Sequence, residues 1–163
     1  MRDETKGVLL DTSFLIRLLD KNDPFHLNAK GYFKYFTEND FKLFTSTIAI
    51  AEYCVRSDIS ELPLKNLQIV PFNLSHAQRA GEFAKIIFRE RADKNLQVNN
   101  RTIIPNDTKL FAQADCEKTI EFYLSSDTES IKIYNAVKTK MRLKFQFIDL
   151  KTPYHETFGI LGF

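Results

Sequence analysis

Residues 8–16 read Val8-Leu9-Leu10-Asp11-Thr12-Ser13-Phe14-Leu15-Ile16. Val8 to Leu10 is a short unbroken apolar run, the pattern of a strand covered on both faces. The run stops at Asp11-Thr12-Ser13. From there Phe14, Leu15, Leu18 and Leu19 recur at helical spacing. A change of period from strand to helix across one carboxylate is the repeating unit of an α/β fold, and the rest of the chain repeats it.

Asp23-Pro24 ends or interrupts the first helix, since proline has no N–H and restricts the residue before it. Leu27, Tyr32, Phe33 and Phe36 predict a second helix with Gly31 in its middle, and Phe41 to Thr45 a second strand. Ser46-Thr47 reads as the cap of a helix bearing Ile48, Ala49, Ile50, Ala51 and Val55. Leu67 to Phe72 is a third strand or an extended segment. Ser75-x-x-Gln78 has the form of a capping box, opening a helix through Ala80, Phe83, Ala84, Ile87 and Phe88 into residues 89–91. Residues 92–101 are polar and predict a surface loop. Pro105 suits the first turn of a helix whose apolar face is Leu110, Phe111 and Ala114. Ile120 to Leu124 predicts a strand that ends at Ser125-Ser126-Asp127. Thr128 to Lys140 predicts the last long helix, with Ile131, Ile133, Tyr134 and Val137 apolar, and Phe145 to Ile148 a closing strand. Strands alternating with helices predict a parallel sheet. With no repeat, low-complexity tract or linker, one domain over residues 1–150 is expected, followed by a tail over 151–163 that either packs or hangs free.

Composition removes several classes. The chain has 163 residues, 44% of them hydrophobic and 27% charged, which is globular and not disordered. Fifteen Phe and six Tyr supply the bulk for one core. Lys and Arg (23) nearly balance Asp and Glu (21), for a net charge of +2, so this is no strongly basic protein held to nucleic acid by charge alone. No apolar run approaches the ~20 residues of a membrane span, and the start resembles no signal peptide. Cys54 and Cys116 stand alone, without zinc or disulfide spacing, and a reducing, cytoplasmic setting is expected. His26, His76 and His155 share no ligand spacing, which disfavours a histidine metal site or a Ser-His-Asp triad.

Four acids stand out by position. Asp11 ends the first strand, Glu52 lies in an apolar helix, Asp107 lies at a helix start, and Asp127 follows a strand. In a parallel sheet, strand carboxyl ends and the helix starts that follow share one edge, where ligands bind. Gathered carboxylates repel and resist ionising unless a cation neutralises them. An all-oxygen set favours Mg²⁺ or Mn²⁺, which assists phosphodiester hydrolysis. Each acid also has a plainer reading: Asp127 as a helix cap, Asp107 as a complement to the helix dipole, Asp11 as a turn residue. Glu52 is the hardest to explain away, because its apolar neighbours predict partial burial.

The residues around these acids resemble the PIN domain family. The opening quoted above resembles its first motif, in which a strand delivers Asp11 followed by Thr12 and a small polar residue. Thr45-Ser46-Thr47-Ile48-Ala49-Ile50-Ala51-Glu52-Tyr53 resembles the second, and Pro105-Asn106-Asp107-Thr108-Lys109-Leu110-Phe111-Ala112-Gln113-Ala114 the third. Tyr123-Leu124-Ser125-Ser126-Asp127 resembles the fourth, a strand followed by a hydroxyl residue and an Asp. The likeness runs from about Val8 to Leu150. Two departures are visible: Thr128-Glu129-Ser130-Ile131 lacks the family's frequent aromatic, and Ala92 to Ile104 is longer and more polar than a compact member needs.

The resemblance implies a three-layer α/β/α fold with a central, mostly parallel sheet flanked by helices. It also implies an Mg²⁺- or Mn²⁺-dependent endoribonuclease. Small members of this kind are commonly the VapC-type toxins of toxin–antitoxin pairs, which act on tRNA, rRNA or mRNA, dimerise, and are silenced by a cognate antitoxin. Carried over, Asp11, Glu52, Asp107 and Asp127 are the catalytic and metal-binding acids, with Thr12 and Ser125 as polar supports. Asp11, Glu52 and Asp107 then hold the ion directly or through water, Asp127 completes the site or positions the attacking water, and the products carry a 5′-phosphate and a 3′-hydroxyl. Arg17, Arg89, Arg91 and Arg101 are candidate contacts to RNA phosphates, with Lys94 and the cluster Lys138, Lys140, Arg142 and Lys144. Each of these has the alternative of a solvated helix end. A catalytically silent PIN-like module that binds RNA or protein, and a solitary RNA-processing nuclease, remain the competing expectations. A haloacid-dehalogenase-type phosphatase needs Asp-x-Asp at the first strand, where this chain has Ser13.

Overall fold

A computed structural model describes residues 5–97 and 103–161. In chain order the elements are β1 (Gly7–Leu10), α1 (Thr12–Leu19), α2 (His26–Glu38), β2 (Lys42–Ser46), α3 (Thr47–Tyr53), β3 (Gln68–Val70), α4 (Leu74–Ala92), α5 (Ile103–Cys116), β4 (Ile120–Ser125), α6 (Thr128–Lys140), β5 (Gln146–Asp149) and α7 (Tyr154–Thr157). Among the described residues the strands form one sheet in the order β3-β2-β1-β4-β5, with every pairing parallel. The parallel sheet is the one the alternating pattern predicts, and with helices on both faces it makes the three-layer α/β/α architecture that the resemblance implies.

β1 sits at the centre of the sheet and is buried along its whole length. Its side chains feed two separate cores because successive residues point to opposite faces. Leu9 joins Phe83, Ile87, Phe111, Ile133 and Tyr134 beneath α4, α5 and α6. Val8 and Leu10 join Phe14, Leu15, Tyr32, Phe36 and Tyr53 beneath α1, α2 and α3. The chain steps outward from β1 through β2 to β3, then returns to place β4 on the other side of β1. The carboxyl ends of β1 and β4 therefore flank the point where strand order reverses, the usual ligand edge of such sheets.

Several local expectations need correction. The cap of α4 is Asn73 and not Ser75: Asn73 Oδ1 accepts from the His76 N–H at 3.1 Å, and the Asn73 N–H donates back to His76 Nδ1 at 3.1 Å. The box keeps the expected spacing and lies two residues earlier, at Asn73 and His76. α3 stops at Tyr53, and Val55 lies beyond it, 78% exposed, so it forms no part of the helix's apolar face. α5 begins at Ile103, which leaves Asp107 a full turn inside the helix.

Gly31 in α2 has a steric reason: a Cβ there would stand 2.8 Å from the Tyr154 ring. That ring and Phe158 pack on the α2 core. Tyr32 Oη donates to the Thr152 carbonyl at 2.6 Å and lies 2.6 Å from Thr157 Oγ1. The described part of the predicted tail is thus folded onto α2. Among the described residues no helix is long and apolar enough to cross a membrane.

Candidate active site

Asp11, Thr12, Ser13, Ile16, Glu52, Asn106, Asp107 and Asp127 line one cleft of about 310 Å³ at the carboxyl edge of the sheet. The structure therefore brings the four acids singled out by sequence to one place. Each arrives on a different element, and each is held differently.

Asp11 follows β1 and occupies the N-cap position of α1, yet its carboxylate makes no capping bond. Oδ2 instead accepts from Ser13 Oγ at 2.8 Å and from Ser125 Oγ at 2.7 Å. Ser125 also accepts the Asp127 N–H at 3.1 Å, and Ser13 accepts the Ser126 N–H at 3.0 Å. The two hydroxyls weld the end of β1 to the end of β4 and fix the Asp11 carboxylate between them. Asp127 does cap α6, through Oδ1 to the Glu129 N–H at 2.8 Å and the Ser130 N–H at 3.4 Å. The capping role and the cleft-lining position coexist in that residue.

Glu52 is clamped at both oxygens. Thr12 Oγ1 donates to Oε2 at 2.5 Å, and Asn106 Nδ2 donates to Oε1 at 2.7 Å. Thr12 comes from α1 and Asn106 from α5, so three helices meet at this one carboxylate. Asn106 and Ser13 are functional neighbours that sequence reasoning misses, and their only sequence signal is adjacency to Asp107 and to Thr12 after Asp11.

Asp107 is the most perturbed group. It is 8% exposed, and its Oδ2 has no hydrogen-bond partner in the protein. Burial, and then the charges of Asp11, Asp127, Glu52 and Glu129, push its pKa up to about 8. Glu129 is a fifth carboxylate that acts on this site. Its Oε1 is paired with Lys132 at 2.9 Å, and nothing but its place two residues after Asp127 marked it.

Arg17 is not free at the cleft mouth. Its Nε donates to Ser126 Oγ at 2.8 Å, its Nη1 to Asp23 Oδ1 and Oδ2 at 2.8 and 3.0 Å, and its guanidinium lies over the Phe25 ring. Arg89 and Arg91 lie in the last turn of α4, where Glu90 between them pairs with Lys140 at the end of α6. Asp127 caps the opposite end of α6, whose 13 residues at 1.5 Å each span about 20 Å. Arg101 lies outside the described residues.

No family model matches the chain, and no curated protein matches it. Its fold has solved counterparts. One is a chain from the crystal structure of VapBC2 from Rickettsia felis bound to a DNA fragment from its promoter: TM-score 0.57, 18% identity, covering 88% of this chain and 99% of that one. Another is a chain of DNA-bound VapBC from Salmonella typhimurium: TM-score 0.56, 15% identity, covering 90% and 99%. At these identities the likeness speaks to fold, and it extends over nearly the whole of each counterpart. The all-parallel sheet, the two helical layers and these matches together make this a three-layer, PIN-like α/β/α fold shared with those VapBC chains.

Proposed function

We infer that this chain is an Mg²⁺- or Mn²⁺-dependent endoribonuclease, the toxin of a toxin–antitoxin pair. The observation that carries the reading is Asp107, buried among four other acids with one carboxylate oxygen unpartnered. A buried group of this kind is costly unless a cation offsets it.

The donors suit a hard ion because all are oxygens. Among the described residues no three His, Cys, Asp or Glu side chains close around a single ion as they stand. That agrees with how Glu52 is held. With both oxygens committed to Thr12 and Asn106, it contributes negative field and not a ready ligand. Contact with the ion falls to Asp11 and Asp107, with water filling the remaining positions, as Mg²⁺ commonly prefers. Asp127 keeps Oδ1 on the helix cap and faces the cleft from the β4 side. When bound, the ion polarises the phosphate and lowers the pKa of a coordinated water. Ser13 and Ser125 hold Asp11 in register throughout.

RNA as the substrate and an antitoxin as the partner follow from the fold likeness and the carboxylate cleft. The test is cleavage of total RNA by purified protein with Mg²⁺, with Mn²⁺, and with chelator. Asp11→Asn and Asp107→Asn are expected to reduce cleavage at least about 100-fold, the scale of losing a group that stabilises transition-state charge. Parental rates in both variants would remove the reading. They would leave the silent binding module, for which saturable Mn²⁺ binding is not expected.

A further inference from the structure

The four acids of the cleft are held in different ways. The two hydroxyls on Asp11 share its Oδ2, the two backbone donors on Asp127 share its Oδ1, and Asp107 Oδ2 has no partner in the protein. Glu52 is the one with a donor seated on each oxygen, Thr12 Oγ1 on Oε2 at 2.5 Å and Asn106 Nδ2 on Oε1 at 2.7 Å. Hydrogen bonds of this length to an ionised carboxylate are the strong ones. A cation that approaches Glu52 competes with two donors at once.

The two halves of this clamp differ. Thr12 is 8% exposed, and its hydroxyl also lies 3.4 Å from the Ala49 carbonyl, inside the packed junction of α1 with α3. Asn106 is less buried and lines the cavity, on α5 directly before Asp107. Its amide reaches across to α3, so the bond ties Glu52 to the helix that carries Asp107. The amide is an uncharged donor. Among the described residues no Lys, Arg or His pairs with Glu52. Its charge is therefore held in place without being neutralised.

We propose that Asn106 is a positioning residue that holds Glu52 back from the cation of the cleft, so that water takes the place on the ion which the Glu52 carboxylate would otherwise fill. This role rests on the cation reading above. With Asn106 in place, Glu52 acts through its field, and Asp11 and Asp107 make the direct contacts. Affinity for a hard cation rises with the number of charged oxygens on it, so the clamp gives up affinity and keeps one more water on the ion. A coordinated water is the reagent that phosphodiester hydrolysis consumes. Without the amide, Oε1 is released and Glu52 becomes a direct ligand, with Thr12 still on Oε2.

Mn²⁺ titration calorimetry on the full chain tests this role, together with water-proton relaxation, which reads how many waters the bound ion keeps. Asn106→Ala is expected to bind Mn²⁺ about tenfold more tightly than the parent, and its bound ion to relax water protons less, through the loss of a coordinated water. A role for Asn106 in structure alone gives weaker or unchanged binding. Glu52→Gln removes the charge that the clamp restrains, and in that background Asn106→Ala should change neither affinity nor relaxation. Parental or weaker affinity in Asn106→Ala overturns the proposal, as does an equal gain in the Glu52→Gln background. Melting curves without metal identify a variant that has failed to fold. Asn106→Leu, which keeps the shape of the side chain without its donors, then takes the place of Asn106→Ala. Saturable binding by the parent with no gain in the variant removes the clamp and leaves the cation reading standing. No saturable binding by either protein removes both.

Discussion

Asp107 has the largest thermodynamic consequence of any single residue in the cleft. Its pKa is pushed up to about 8 in the folded protein, against an ordinary aspartate value of 3.8. The folded state therefore binds the proton more tightly than the unfolded chain does. The stability linked to this group is fully present below about pH 4 and is lost as pH rises toward 8. Metal-free protein is thus expected to melt lower at pH 8 than at pH 5. Asp107→Asn should raise the pH 8 melting temperature above that of the parent, and the gap should close toward pH 4. Mn²⁺ should raise the parent's melting temperature and leave that of Asp107→Asn little changed. Scanning calorimetry across pH, with and without the ion, checks all three. The aspartate and its place before an apolar helix face were readable in the sequence. Its burial was not, because α5 is covered by α4, β4 and α6, whose residues are distant from Asp107 in the chain.

At the scale of elements, α4 shows how a local rule finds a helix and misplaces its end. Asn73 and Ser75 are both good caps by residue type. His76 decides between them, because its Nδ1 answers the Asn73 N–H while its Nε2 reaches Glu117, just past the end of α5, at 2.9 Å. Asn73→Ala is expected to cost about 1 kcal/mol and Ser75→Ala less than about 0.5 kcal/mol in urea unfolding. Equal costs would return the cap to Ser75. The junction of α1 with the loop after β4 is a second case. Arg17 joins Ser126 to Asp23 with a mostly buried guanidinium, Nε donating to the hydroxyl and Nη1 to both carboxylate oxygens. Arg17→Lys keeps the charge and loses the fork, and should lower stability by about 1–2 kcal/mol. Proximity to Asp11 in sequence suggested a hand for RNA, whereas three-dimensional partners make the residue a brace.

For the whole molecule, the end of the chain belongs to the core of one face. Tyr154 and Phe158 cover Tyr32, Tyr35 and Phe36, and the Thr152 carbonyl takes the Tyr32 hydroxyl. Removing residues 152–163 uncovers that aromatic surface. It is expected to lower the melting temperature by more than about 10 °C or to leave the protein insoluble, a loss of several kcal/mol at this size. A truncated chain that melts with the parent would show the segment to be an appendage.

Period, run length and turn chemistry determined the fold class, the five strands and the long helices from sequence, because each rests on residues within a few positions of one another. The same locality placed four acids at strand ends and helix starts. Only the tertiary structure decided what those acids do to each other. Thr12 and Asn106 occupy Glu52, Ser13 and Ser125 hold Asp11, and Asp107 is left buried with an unpartnered oxygen. These are contacts between residues as many as 114 positions apart. Hydrogen-bond partners, desolvation and mutual repulsion depend on distances in space, which no pattern along a chain contains.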